Sequence, residues 1–327
     1  MTLDVFFDPQ YARIFEGTDG VSKVFEFENE FGAVRHTFLV REIPTRLDGR
    51  VLYDLITPYG YGGPVILHST DPKRLMEAFK EAFFTFCRQN GYVCEFVRFH
   101  LFDNTDVRQN YYGQTRAALK NVVVPTDRTY ETVWMDYEHK VRKNVNKAKE
   151  NGLRVIVERN LDHLSDFLRI YYNTMDRNEA SRYFYFPRTF FEKIAEYLPN
   201  NYVYFHVLKD DIVISTELVL LSECYAYSFL GGTDKEYYAM RPNDFLKDAV
   251  IQMCIEEGKK CFVLGGGYGA EDGIYRYKRS FTKSEDVPFY VGSTVFDREA
   301  YDRLTELRMQ QQDPPAADDL FFPLYRA

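Results

Sequence analysis

One tryptophan, Trp134, and five cysteines are all that the 327 residues hold of those two types. The cysteines Cys87, Cys94, Cys224, Cys254 and Cys261 are odd in number, contain no C-x-x-C pair and fall mainly inside apolar patterns. That usage excludes a disulfide framework and reads as the reduced core thiols of a cytoplasmic protein. The six histidines never stand at a metal-ligand spacing, so no metal is expected. No apolar stretch reaches the roughly 18 residues of a membrane span, and residues 2–9 carry acid and no long apolar run where a signal peptide needs one. There is no G-x-S-x-G elbow and no persuasive Cys/His arrangement, which argues against a covalent nucleophile. A G-x-x-x-x-G-K-[ST] phosphate loop is missing as well. Basic residues are the minority, 41 Lys and Arg against 49 Asp and Glu, for a net charge of −8 and a pI near 5.4. That balance argues against an undirected polyanion binder, DNA included, and leaves room for a local basic patch to meet phosphate.

What is present suffices for two domains of ordinary size with sizeable cores, since 45% of the residues are hydrophobic and 17% aromatic. Residues 21–27, 34–41 and 51–56 alternate as strands. The third run ends in Thr57-Pro58-Tyr59-Gly60-Tyr61-Gly62-Gly63-Pro64, too rich in glycine and rings for a mere hairpin. Asp71-Pro72 then caps a helix with Leu75, Met76, Phe79 and Phe83 on one face, closing at Asn90-Gly91, and residues 93–99 form the next strand. The same order recurs in the second half. There residues 202–208, 212–221 and 225–230 read as strands, followed by a loop, a helix from Pro242 to Gly258 and a strand over 261–264. The chain is therefore expected to be an α/β protein of two duplicated units with mixed sheets. Residues 112–132 show little periodicity and read as a connection. Helices are expected over 161–172 and 189–198, around a turn at 176–186 in which arginine and tyrosine interleave, a composition for packing or for stacking on a base or sugar. After residue 281 a strand, a helix over 299–309, a loose Pro-Pro-Ala-Ala tail and a docked Leu320-Phe-Phe-Pro-Leu are expected.

The stretch 225–281 concentrates the chemistry. A strand is expected to break at Gly231 and Gly232, a loop with Tyr237 and Tyr238 runs to Pro242, and a helix starts there. Unpaired N–H groups at that start suit an anion such as a pyrophosphate, although a plain structural crossover fits the same spacing. The later run Gly265, Gly266, Gly267 and Gly269 asks for positive φ or close approach. It spells Gly265-x-Gly267-x-x-Ala270, but residues 271–280 show no helical apolar period, so a dinucleotide fingerprint is rejected. In residues 212–221 alternation puts Glu217 on a face with Val213, Val219 and Leu221. A carboxylate there is either a desolvated base or half of a buried ion pair. The basic segment 138–151 sets Val141, Val145 and Ala148 on one helical face and Lys140, Lys143 and Lys147 on another, with a solvated face as its ordinary reading.

Leu264-Gly-Gly-Gly followed by Asp272-Gly-Ile-Tyr-Arg-Tyr-Lys278-Arg-Ser-Phe281 resembles the signature of the GNAT-like acyltransferases of the Fem family, which add amino acids to peptidoglycan precursors. The preceding Tyr-x-x-x-Gly-Gly…Tyr…Pro-Asn-x-x-Leu segment is similar to theirs too. Tyr277 stands where that family usually has Phe, and Gly273 where Ser is frequent. The resemblance implies two tandem GNAT-like domains, a degenerate acceptor-binding one over 1–133 and a transferase one over 134–327 whose tail packs back on the first. It implies an N-acyltransferase with no permanently bound cofactor, its acyl donor being aminoacyl-tRNA or acyl-CoA. No clear coenzyme A loop is present, because Tyr238-Ala-Met-Arg-Pro-Asn departs from it, and that favours tRNA. Lys278 is the expected cation at the developing oxyanion, with Glu217 and Tyr238 beside it. Gly231, Tyr237, Arg241, Asn243, Asp244, Gly266, Gly267 and Tyr277 are expected to bind the donor. A phosphorylated amine acceptor, a cell-wall precursor or related sugar or peptide, is expected at Tyr59, Tyr61, Gly62, Gly63, Arg142 and Lys143. A coenzyme A-dependent small-molecule N-acetyltransferase, or a non-catalytic sugar-nucleotide or peptide-binding module on the same fold, are the alternatives.

Overall fold

The computed structural model describes residues 3–267, 269, 272–311 and 321–327. The chain divides into two compact units, one of Phe6–Ala118 with Pro288–Ala327, the other of Met1–Val5 with Leu119–Val287. In chain order the first begins with the short helix α1 (Pro9–Arg13) and strands β1 (Val21–Asn29), β2 (Gly32–Glu42), β3 (Tyr53–Ile56) and β4 (Val65–Ser69). Helix α2 (Pro72–Gln89), strand β5 (Tyr92–Arg98) and the short α3 (Thr105–Gln109) follow. The Asp71 side chain accepts from Arg74 N at 3.1 Å, and Gly91 takes φ +69°, so both expected ends of α2 hold.

Strand β6 (Gln114–Pro125) runs through the stretch expected to be a connection. Its first seven residues are largely exposed and its next four buried, so no period of two could show. In the second unit come α4 (Tyr130–Asp136), α5 (His139–Glu150), β7 (Arg154–Glu158), α6 (Leu164–Arg177) and α7 (Arg188–Tyr197). Strands β8 (Tyr202–Lys209), β9 (Ile212–Leu221) and β10 (Tyr225–Thr233) lead to α8 (Pro242–Glu256), β11 (Cys261–Gly265) and α9 (Gly273–Arg279). Strand β12 (Val287–Val295) and α10 (Arg298–Met309) return to the first unit. The division expected between residues 133 and 134 falls inside α4.

Within the first unit the strands lie in the order β1-β2-β3-β5-β12, with β4 on β2. Among the described strands only β3 and β5 are parallel there, and α2 makes the crossover that a parallel pair requires. In the second unit the order is β6-β11-β10-β9-β8-β7, with β10 and β11 the parallel pair and α8 the crossover. The chain is thus two α/β units of one plan, each with a mixed sheet. The second unit's core sets Val141, Val145 and Ala148 of α5 and Leu246, Val250 and Cys254 of α8 against Phe205, Ile214 and Val219 of the sheet. Cys87, Cys94, Cys254 and Cys261 are buried free thiols. Phe322 stacks on Tyr301 at 5.6 Å and Tyr325 is buried, so the described end of the tail docks on the first unit. Leu320 and the Pro-Pro-Ala-Ala run lie outside the described residues. No described helix is long and apolar enough to cross a membrane.

Candidate active site

A cavity of about 920 Å³ opens in the Leu119–Val287 unit. Its existence follows from how β10 leaves its neighbours. The parallel ladder to β11 covers only Tyr225–Tyr227 and Cys261–Val263, and the register against β9 shifts between Ser228 and Leu230. Ser228 to Thr233 of β10, with Thr216 and Glu217 of β9, line the cavity. The start of α8 (Arg241, Asn243, Asp244, Lys247), α9 (Ile274, Arg276, Tyr277, Lys278), the Lys140 and Asn144 face of α5 and Thr174 and Arg177 of α6 complete it. Seven lining side chains are basic and three acidic, an inversion of the chain's overall charge that suits an anionic ligand.

Two buried lysines meet there. Lys247 is 7% exposed, donates to Glu217 Oε1 and reaches Ser228 Oγ at 2.9 Å. Glu217 is 3% exposed, and its second oxygen, Oε2, has no hydrogen-bond partner. Lys278 donates to the Gly266 carbonyl at 2.6 Å. Burial, and after it the charge of Lys247, lower the Lys278 ammonium to a pKa of about 8. Its helix α9 is set by Asp272, whose Oδ1 accepts from Tyr275 N at 2.7 Å. The Tyr277 hydroxyl is buried without a hydrogen-bond partner, and burial first, then Asp244 and Glu217, hold its proton on well above the ordinary range.

Helix α8 presents its first turn to the cavity. Arg241 precedes it in the left-handed region at φ +65°, Pro242 opens it, and no side chain caps it. Pro242 carries no N–H and the Asp244 carboxyl takes a bond from its own backbone, so the Asn243 N–H is what this turn offers to a ligand. The Asp244 carboxyl accepts from Asn144 Nδ2 at 3.2 Å, tying α5 to α8, and burial raises its pKa.

Of the expected residues, Lys278, Glu217, Tyr238, Gly231, Arg241, Asn243, Asp244 and Tyr277 come together around this cavity. Tyr237 packs on the core, and Gly266 and Gly267 do not line the cavity. Gly266 serves through its carbonyl, and a Cβ on Gly267 would meet Asp272 Oδ1 at 2.4 Å, so that glycine makes room for the cap. Gly231 and Gly232 do not break the strand. They continue β10, where a Cβ would strike Thr216 O at 2.5 Å or Thr174 Oγ1 at 2.3 Å. Residues 273–279 are helical despite lacking an apolar period, because a seven-residue helix fixed by its cap needs none.

The acceptor residues fare differently. Arg142 donates to the carbonyls of Trp134, Met135 and Tyr137 and so closes the end of α4, while Lys143 is exposed. Neither lines the cavity, for on α5 the cavity-lining positions are Lys140, Val141 and Asn144, which share one helix face. Tyr59 to Gly63 belong to the other unit and are engaged within it. Tyr11 Oη donates to Tyr59 O at 2.5 Å, Asn104 Nδ2 to Gly62 O at 2.8 Å, and the Tyr61 ring meets Phe6 and Phe289. Sequence reasoning missed Lys247, Ser228, Lys140 and Arg177. Lys247 had a signal, the single lysine of the Pro242–Glu256 segment, set between the apolar Leu246 and Val250.

Residues 136–279 match the acetyltransferase (GNAT) domain family. No curated protein matches the sequence. Among solved structures, FemX superposes with a TM-score of 0.70 at 13% identity, covering 92% of this chain and 94% of that one. L-PGS from Bacillus licheniformis superposes with a TM-score of 0.55 at 14% identity, covering 89% and 93%. A tandem GNAT protein from the clavulanic acid biosynthesis pathway gives 0.51 at 7% identity, covering 85% of each chain. The chain has the fold of FemX, and its residues 136–279 resemble the acetyltransferase (GNAT) domain.

Proposed function

We propose that this protein is an N-acyltransferase of the Fem and GNAT type, with the cavity of the Leu119–Val287 unit as its transfer site. One observation carries the reading. The cavity joins an uncapped helix start, suited to a donor's phosphate, to a desolvated lysine suited to the donor's carbonyl. In such a transfer the amine nitrogen bonds to the acyl carbon, the carbon–oxygen or carbon–sulfur bond of the donor breaks, and the amine's proton leaves with the departing alcohol or thiol. Lys278 in its charged form stabilises the negative oxygen of the tetrahedral intermediate. Arg177, stacked on Tyr238 at 5.4 Å, and Lys140 extend the positive lining toward the donor's or acceptor's phosphates.

The favoured donor is aminoacyl-tRNA, because the 238–243 segment departs from a coenzyme A loop. Acyl-CoA is the alternative donor, the fold being shared with a tandem GNAT protein described in relation to AcCoA. The acceptor is proposed to be an amine of a cell-wall precursor or related sugar or peptide, the fold being shared with FemX. The test offers labelled aminoacyl-tRNA and labelled acetyl-CoA separately, with a uridine-diphosphate muramoyl pentapeptide as acceptor. Label should pass from one donor, and Lys278→Met should lower kcat ~100-fold. Transfer from neither donor, or an unchanged kcat in the variant, overturns the proposal.

A further inference from the structure

Strands β10 and β11 separate at the cavity wall. Their parallel ladder ends at Tyr227 and Val263, so Ser228 is the first residue on one lip of the opening, while Gly265 ends β11 on the other and Gly266 follows it. Each lip carries a hydrogen-bond donor. On the β11 side Lys278 Nζ lies over Gly265, where an added Cβ would meet it at 3.3 Å, and donates to the Gly266 carbonyl at 2.6 Å. On the β10 side is the Ser228 hydroxyl. Ala226, two residues earlier, packs with Leu246 and Val250 of α8, so alternation along the strand turns Ser228 to that same face, where its Oγ meets Lys247 Nζ at 2.9 Å. Unlike Lys247 and Glu217, which are buried, Ser228 is half-buried, and it lines the cavity.

Lys247 decides what that hydroxyl can do. As the cation of the Glu217 pair it has hydrogens to give and no lone pair to receive one, so Ser228 Oγ is the acceptor of their bond and keeps its own O–H for another partner. Among the described residues that O–H has no acceptor. A cation bonded to the oxygen also polarises the hydroxyl and makes it a stronger donor. The charge of Lys247 reaches Lys278 as well, so the donors of the two lips surround one small volume. We infer that Ser228 donates a hydrogen bond to the reacting carbonyl oxygen of the acyl group, from the lip opposite Lys278. The inference rests on the transfer reading above. Donors converging from two sides suit an oxygen that gains a negative charge, and a neutral one adds no third desolvated cation to Lys247 and Lys278. The bond strengthens as the carbonyl oxygen becomes an oxyanion, so its contribution belongs to the transition state and not to donor affinity. The proton stays on Ser228 throughout, and the bonds made and broken in the transfer are unchanged.

The experiment takes the full-length parent, Ser228→Ala and Ser228→Thr through the transfer assay, with the donor that the parent uses, and through thermal melting. Ser228→Ala should lose about 100-fold in kcat, with the donor's KM and the melting temperature little changed. Ser228→Thr keeps a hydroxyl on the same carbon and should recover most of that loss. The pH at which kcat falls, about 8, should be the same in the parent and both variants, because Lys247 stays paired with Glu217 and its charge stays near Lys278. A Ser228→Ala variant with the parent's kcat overturns the inference and leaves the transfer reading standing. So does a Ser228→Thr variant as slow as Ser228→Ala, or a loss that comes with a lowered melting temperature. A shifted pH profile overturns it too, since Ser228 would then act through Lys247. A parent that transfers from neither donor overturns both.

Discussion

Lys278 carries its charge at a cost that should be visible in stability. Its folded pKa of about 8 lies below the ordinary lysine value of 10.5. Between those values the unfolded chain binds the proton more strongly than the folded one, so folding becomes more favourable as pH rises from about 8 to 10.5. At pH 7 the folded protein holds a desolvated cation, and Lys278→Met should relieve it. We predict a higher melting temperature for the variant at pH 7 and a shrinking advantage by pH 10, measured by calorimetric scans across that range. A variant that melts lower than the parent at every pH would show that the bond to Gly266 outweighs the burial penalty. Activity should follow the opposite course. If the charged lysine is the working form, kcat falls as pH passes through about 8. Stability and function at this residue pull in opposite directions, as they do where a site is held in a costly state.

At the scale of the element, α9 is short enough to depend on its cap. Seven residues form no stable helix alone, and Asp272 supplies the bond to Tyr275 N while Gly269 N reaches the same carboxylate at 3.2 Å. Asp272→Ala should cost ~1 kcal/mol of stability in urea unfolding, and more than tenfold in kcat, because the displaced turn carries both Tyr277 and Lys278. Asp272→Asn preserves the acceptor and should restore most of both. Equal kcat in the Ala variant and the parent would separate the cap from the site. Helix α8 makes a complementary point. Its partners bury Asp244, Lys247 and Asp248 as well as Leu246 and Val250, so it is enclosed on nearly all sides. A sequence pattern of one apolar face described only part of it.

At the scale of the whole molecule, the Phe6–Ala118 unit is completed by chain returning from residue 288 onward. Asp54, fully buried, is shared by Arg41 Nε at 2.7 Å, Arg326 Nε at 2.5 Å and Tyr325 Oη at 3.1 Å. Removing one cation leaves a buried carboxylate underpaired. Arg326→Ala should therefore lower stability by about 1–3 kcal/mol, with some of the full penalty spared by the partial exposure of the arginine. Chemical denaturation measures it, and a change within error would mean that Arg41 and Tyr325 suffice.

Local pattern was enough for the two-fold α/β plan. Alternation located β1, β2, β8 and β9, the Asp71-Pro72 cap and Gly91 bounded α2, and Pro242 and Gly258 bounded α8, because these signals act over a few residues of chain. Lys278, Tyr277, Glu217 and the α8 start, singled out by motif and spacing, all line one cavity. Tertiary structure alone decided the rest. That Glu217 meets Lys247, that Arg142 caps α4 while Lys140 turns to the cavity, and that Gly231 continues a strand are facts about neighbours 30, 5 and 15 positions away or on other elements. The sequence carries the side chain that will be buried. Which charge compensates it, and which oxygen is left unpaired, depends on the packing of strands β9 and β10 against helices α8 and α9.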